Sequence, residues 1–340
     1  MTESSSPGPS PVPHDLAATS AERRASGKGA RRRVPRGTLG SWSEEDRGHD
    51  PLKTILAQNQ IREPELIPLR HQRMAVSPWN YYRGAAAVMA GDLGGQPDSG
   101  LMVQLCGDAH VLNFGLWATP ERNLAFDLRD FDETLPGPFE WDVKRFAASL
   151  VVAARESQVK PARAAAAVTA GVEAYARRMR RYATMPELDV WYDSMHVDNL
   201  IGYFEPADRS YTRPSRHRGH GARVINGKRL IQSATDIFAG WGSLHGKDYY
   251  VRQFRDMKII PTTDLIAPRL VQFATACGET LARAHARTGD PMAIDAYIGK
   301  GARFAAAIGR FAGLYADQNE RDHAQLASAI AAGTVESLPG

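Results

Sequence analysis

Two short segments hold the residue types that chemistry requires. The first is Gly107-Asp108-Ala109-His110-Val111-Leu112-Asn113, directly after the apolar run Leu101–Cys106. The second is Phe126-Asp127-Leu128-Arg129-Asp130-Phe131-Asp132-Glu133, at the end of a partly alternating run. Phosphoryl transfer asks little covalent help of a protein. It needs a carboxylate to orient the acceptor hydroxyl and hard oxygen ligands to hold Mg²⁺ against phosphates. Asp108 suits the first task, and Asn113, five positions on, suits the second. Asp130 suits the role of a further metal ligand. An Asp and an Asn at this spacing also occur by chance in many loops. The crowding of Asp127, Asp130, Asp132 and Glu133 among Phe126, Leu128 and Phe131 favours a site, because adjacent carboxylates repel and a bound cation relieves that repulsion.

Other candidate residues have simpler readings. His110 is a loop hydrogen-bonder before it is a metal ligand. His285, in Ala284-His285-Ala286, suits capping or core packing, and Cys106 suits a buried, inert thiol. His217 and His220 lack the further ligands a metal site needs.

The elements that must position these residues follow from periodicity. Leu101–Cys106 reads as a buried strand, Asn123–Arg129 as a second and Tyr249–Phe254 as a third, with a loop at Pro136-Gly137-Pro138. Asp142–Glu156 has helical spacing, with Val143, Phe146, Ala147, Leu150 and Val151 on one face. Pro161 opens a helix to about Tyr182, Leu265–Arg287 is strongly amphipathic, and Arg303–Ala332 is mostly helical. A helix also ends the stretch Leu66–Ala90, a turn-rich loop spans Gly91–Gly100, and Tyr203–His220 is irregular. The balance is α+β, mostly helical with a few short strands.

With 340 residues, 43% hydrophobic, the chain can bury a sizeable core. It has no apolar run of the ~18 residues a membrane span requires. Two distant cysteines form no disulfide framework and suit a reducing cytoplasm. The net charge of +4 sits entirely in residues 1–40, where seven bases face three acids. The remainder is balanced, so the globular part shows no basic signature of specific nucleic-acid binding. Residues 1–50, rich in Ser, Pro, Gly and Arg, are expected to be a disordered basic tail, with a single domain over residues 51–335.

Several blocks resemble a bacterial family, domain of unknown function 2252: Arg73–Gly84, Gly107–Gly115, Phe126–Ser149, Tyr250–Lys258, Leu281–Arg287 and Tyr315–Asp322. The central motif is also similar to that of aminoglycoside and choline type phosphotransferases of the kinase-like superfamily, in a Gly-Asp-x-His-x-x-Asn loop. A metal Asp and, twelve residues on, an Asp that starts a helix follow it. Asp108, Asn113, Asp130 and Asp142 match in turn. The resemblance implies a kinase-like C-lobe with a reduced or permuted N-lobe. It implies ATP and Mg²⁺ as cofactors, an unidentified small-molecule acceptor, Asp108 as base, Asn113 and Asp130 as metal ligands, and Asp142 as a structural anchor. Such enzymes also carry a Gly-rich turn and a strand Lys over the phosphates. Neither precedes Gly107, and Lys258 is the nearest substitute. A catalytically degenerate binding module and a metal-dependent hydrolase are the alternatives.

Overall fold

The computed structural model describes residues 18–118, 124–128, 130, 133–193, 240–244, 247–251, 258–259 and 261–338. The irregular stretch Tyr203–His220, with His217 and His220, lies outside the described residues, as does the end of the run Tyr249–Phe254. The helices are α1 Ser20–Arg33, α2 Pro51–Ala57, α3 Ile67–Ala75, α4 Pro78–Gly84, α5 Ala86–Gly94, α6 Phe139–Glu156, α7 Pro161–Tyr182 and α8 Glu187–Tyr192. They continue with α9 Thr263–Ile266, α10 Leu270–Ala286, α11 Pro291–Ile298 and α12 Ala302–Ala331. The strands are β1 Met102–Leu105, β2 Phe114–Ala118, β3 Leu124–Leu128, β4 Leu135–Pro138, β5 Gly240–Leu244, β6 Lys247–Val251 and β7 Lys258–Ile259. The chain is therefore mostly helical, with short strands in small antiparallel pairings.

The described chain divides into two compact units. The first holds everything to Asn113, then Leu128–Asp193 and Thr262–Gly340. Its core is a stack of long helices. Helix α6 buries Val143, Phe146, Ala147 and Leu150, one turn apart, as the periodicity predicts. Helices α7 and α10 approach so closely that a Cβ on Gly278 would lie 2.0 Å from the Gly171 carbonyl oxygen. Phe139 stacks on Tyr175 with ring centroids 6.1 Å apart, and Tyr297 and Phe304 complete that aromatic cluster. The second unit holds Phe114–Asp127 and Ser194–Pro261. Within it, strands run in the order β3-β2-β7, β5 and β6 form an antiparallel hairpin, and Phe114 stacks on Phe126.

Four expectations are corrected. The arm expected to be disordered through residue 50 is folded from Ser20. Thr19 and Glu22 form a capping box, Arg31–Arg33 lie in the last turn where the helix dipole favours cations, and Gly27 and Ala30 are buried against a neighbour. That neighbour is α11, since a Cβ on Gly27 would meet Ala293 backbone at 2.0 Å. Composition understates such a helix because two small residues replace large apolar ones at the contact. The expected loop at Pro136–Pro138 is β4, paired antiparallel with β1 from Met102↔Pro138 to Leu105↔Leu135. Proline is tolerated there because a two-stranded ladder is all edge. Helix Leu265–Arg287 is broken at Pro268, which opens a 3₁₀ turn before α10. The expected turn-rich stretch at Gly91 also still belongs to α5, which runs to Gly94.

Candidate active site

The Gly107–Asn113 loop leaves the end of β1 and is fixed from three sides. Gly107 has φ +84°, and a Cβ there would meet the Glu133 carbonyl oxygen at 2.1 Å, so only glycine fits. Asp142, in the first turn of α6, accepts hydrogen bonds from the Cys106 N–H at 2.8 Å and the Gly107 N–H at 3.2 Å. Farther along, Val111 N–H donates to Ser149 Oγ at 2.9 Å. These contacts make α6 the platform on which the loop is built.

Asp142 is itself held in place. His285 Nε2, on α10, lies 3.2 Å from Asp142 Oδ2, and His285 Nδ1 lies 2.9 Å from the Tyr175 hydroxyl of α7. A carboxylate that accepts from Cys106, Gly107 and His285 needs a proton on Nε2, and in the neutral imidazole the Tyr175 hydroxyl then donates to Nδ1. His285 and Tyr175 are fully buried, and burial followed by the charges of Glu140 and Asp142 pushes the Tyr175 phenol well up. The chain Tyr175–His285–Asp142–loop thus ties three helices to the turn after β1.

Asp108 and Asn113 are brought together. Asn113 Nδ2 donates to the Asp108 carbonyl oxygen at 2.7 Å, and both residues are buried. Asp108 Oδ1 accepts from Arg145 Nε at 2.8 Å, and Oδ2 lies 3.7 Å from His110 Nε2. Arg145 also donates to the Tyr82 carbonyl oxygen at 2.6 Å and lies 3.9 Å above the Tyr82 ring. Burial works against its charge, and the Asp108 carboxylate more than offsets that, so Arg145 is held above the usual arginine range. His110 packs edge-on against Trp79, 5.9 Å between centroids.

Asp130 is not joined to this pair. It is exposed and shares no hydrogen bond or ion pair with Asp108 or Asn113. Among the described residues, no group of three or more His, Cys, Asp or Glu side chains is arranged to hold a metal ion. Lys258 lies in β7 of the second unit, opposite Trp117. Cys106 is buried, and burial, then Asp142 and Asp108, pushes its thiol well up, which fits an inert role.

Arg145 and Tyr175 were not singled out from sequence. Arg145 carried a readable signal, since it sits three residues after Asp142 on the same helix face, one turn further from the loop. Tyr175 carried none, because its partner is distant in the chain. No helix among the described residues is long and apolar enough to cross a membrane.

The architecture and the site define a mostly helical α+β protein with an acidic loop anchored on a buried helix. The chain belongs to the family described as an uncharacterized protein conserved in bacteria, DUF2252, whose model matches residues 62–212 and 203–329. No curated protein matches the chain, and no solved structure does.

Proposed function

We propose that the protein is an ATP- and Mg²⁺-dependent phosphotransferase of kinase-like type acting on a small molecule, with Asp108 orienting the acceptor hydroxyl. The observation that supports this reading is the Asp108–Asn113 pair, cross-linked at 2.7 Å within a buried loop that Asp142 clamps at its start. Acceptor orientation needs a carboxylate whose position is set before substrate arrives, and this loop is pinned by Asp142 and Ser149 of α6, with Asp142 itself held by His285 of α10.

Magnesium prefers hard oxygens and few protein ligands. Asn113 spends its amide nitrogen on the Asp108 carbonyl, which leaves its oxygen for a cation, and Asp130 offers an exposed carboxylate. The donor chemistry fits, and Asn113 and Asp130 would hold the ion. When bound, it would neutralise charge on the transferring phosphates. Lys258 is the residue proposed for the nucleotide phosphates.

One observation favours a second reading, a kinase-like module that binds ligand without turnover. Arg145 already occupies Asp108 Oδ1, so an acceptor hydroxyl must use Oδ2 or displace the guanidinium. Calorimetry with ATP in the presence and absence of Mg²⁺, followed by an ATP-turnover assay, separates the two. The phosphotransferase reading expects Mg²⁺-dependent binding that weakens in Asp130→Ala, and turnover that is lost in Asp108→Asn while binding persists. Binding without turnover in the wild type selects the binding module. Absence of Mg²⁺-dependent nucleotide binding overturns both.

A further inference from the structure

A cleft of about 360 Å³ on the first unit is lined by Arg31, Pro35, Arg36, Gly37, Arg303 and Arg310, among others. None of these belongs to the candidate active site. Several described arginines outside the cleft sit against a carboxylate. Arg23 meets Asp290, Arg24 and Arg180 meet Asp295, and Arg47 meets Asp92 and Asp322. The four arginines of the cleft have no carboxylate within ion-pairing distance among the described residues.

Their positions are close and mutually unfavourable. A Cβ on Gly299 would lie 3.0 Å from Arg31 Nη1 and 2.9 Å from Arg36 Nη1, so the fold brings these two guanidinium groups to the same point. The left-handed φ of +65° at Gly299 makes a side chain strained there, which keeps the point clear. Arg36 is held in place by the Ile298 carbonyl oxygen, and Arg310 reaches the Gly37 carbonyl oxygen at 3.4 Å. Burial, then the charges of Arg31 and Arg303, pulls the Arg36 guanidinium below its usual range. Arg303 stands in the first turn of α12, which carries no acidic residue. The helix dipole disfavours a cation there, and that first turn offers Arg303 no acidic side chain.

We propose that the cleft binds a compact polyanion with adjacent phosphate groups, a diphosphate either free or carried on a lipid headgroup. A single carboxylate would balance one of four cations. Guanidinium groups match phosphate oxygens with two parallel hydrogen bonds each, and the volume is that of a small-molecule site. The inference does not depend on the phosphotransferase reading.

Calorimetry of the full chain with pyrophosphate, at fixed ionic strength, tests it. The wild type is expected to bind. Arg303→Gln, an exposed residue whose loss leaves the core intact, is expected to weaken binding about tenfold, and Arg36→Gln at least as much. Arg163→Gln, outside the cleft, is expected to bind as the wild type does. Co-sedimentation with phosphatidylcholine vesicles, with and without phosphatidylinositol bisphosphate, identifies the carrier. Vesicle binding displaced by pyrophosphate assigns a lipid headgroup, and pyrophosphate binding without vesicle binding assigns a free diphosphate. Failure to bind pyrophosphate overturns the proposal, and so does an equal loss in Arg163→Gln, which would mark general charge attraction.

Discussion

Asp108 and Arg145 are partners inside a buried site, and the energy of such a pair is asymmetric. Removing one member leaves a buried charge without its counterion, whereas removing both leaves only a packing defect. Arg145→Met is therefore expected to destabilise the fold by about 3–5 kcal/mol, and the double variant with Asp108→Asn to recover part of that loss. Urea unfolding of the four members of the cycle measures it, and strict additivity would show that the two side chains do not interact. Lys144, the preceding residue on α6, is buried differently. Its ammonium donates to Gln96 Oε1 at 3.1 Å and sits 4.4 Å from the Phe311 ring centroid. Burial pushes its pKa down from 10.5 to about 8, against the pull of Glu140. Between those values the unfolded chain holds a proton that the native chain has released, so Lys144 makes stability rise with pH across that window. Below it, the buried cation opposes folding by on the order of 3 kcal/mol. Lys144→Met is expected to be more stable than the wild type at pH 7, with a difference that shrinks from pH 8 to 10.5. Unfolding midpoints of both proteins across that range check this, and a constant difference would refute it.

At the level of elements, the closest contact is the crossing of α7 and α10 at Gly171 and Gly278. A Cβ on Gly171 would meet the Phe146 ring at 2.9 Å and the Ala274 carbonyl oxygen at 3.0 Å. Both neighbouring backbones are fixed, so Gly278→Ala is expected to cost about 1–3 kcal/mol by overpacking. Gly313, inside α12, has nothing within 4 Å of its would-be Cβ, so Gly313→Ala is expected to stabilise by about 0.5–1 kcal/mol through helix propensity. Thermal melts of the two variants should shift in opposite directions, and a stabilised Gly278→Ala would mean the helices separate at no cost. These glycines also mark where sequence was legible. The buried faces of α6, α7, α10 and α12 were readable because large apolar residues recur every three to four positions. Strand β1 was readable from its apolar run between glycines. The docking of α1 and the α7–α10 crossing were not, since small residues that permit close approach look the same in sequence as residues that merely weaken a helix. Strand β4 was hidden by its prolines. In the candidate site, Asp108 and Asn113 were singled out by their spacing within one segment, and Asp142 by the resemblance of that segment to a phosphotransferase motif. Arg145 was within reach of the same reasoning, while Tyr175 and His285 depend on which helices pack, a matter that local periodicity leaves open.

The same limit applies to the extent of the folded unit. Arg47 lies before the boundary that composition suggests, and its side chain is only 4% exposed. Its guanidinium spans two carboxylates, with Nε 2.8 Å from Asp92 Oδ1 on α5 and Nη1 2.8 Å from Asp322 Oδ1 on α12. Tyr315 donates to Asp92 Oδ2 at 2.7 Å, and His49 Nε2 lies 2.9 Å from Oδ1. Burial opposes the Arg47 charge, but the two carboxylates outweigh it and raise its pKa. A chain that begins at Pro51 loses Arg47, His49 and the α1–α11 contact together. It leaves Asp92 and Asp322 enclosed without a counterion, and each such charge costs several kcal/mol. The net stability of a domain is about 5–15 kcal/mol, so this truncation is expected to abolish cooperative unfolding or to lower the melting temperature steeply. Arg47→Met in the full chain isolates the charge. It is expected to destabilise by about 3–5 kcal/mol while α1 stays docked, with protection of the α1 amides from hydrogen exchange falling only in step with global stability. A chain from Pro51 that melts like the full protein would return the boundary to residue 51 and show that the Arg47 network forms on a surface already folded without it.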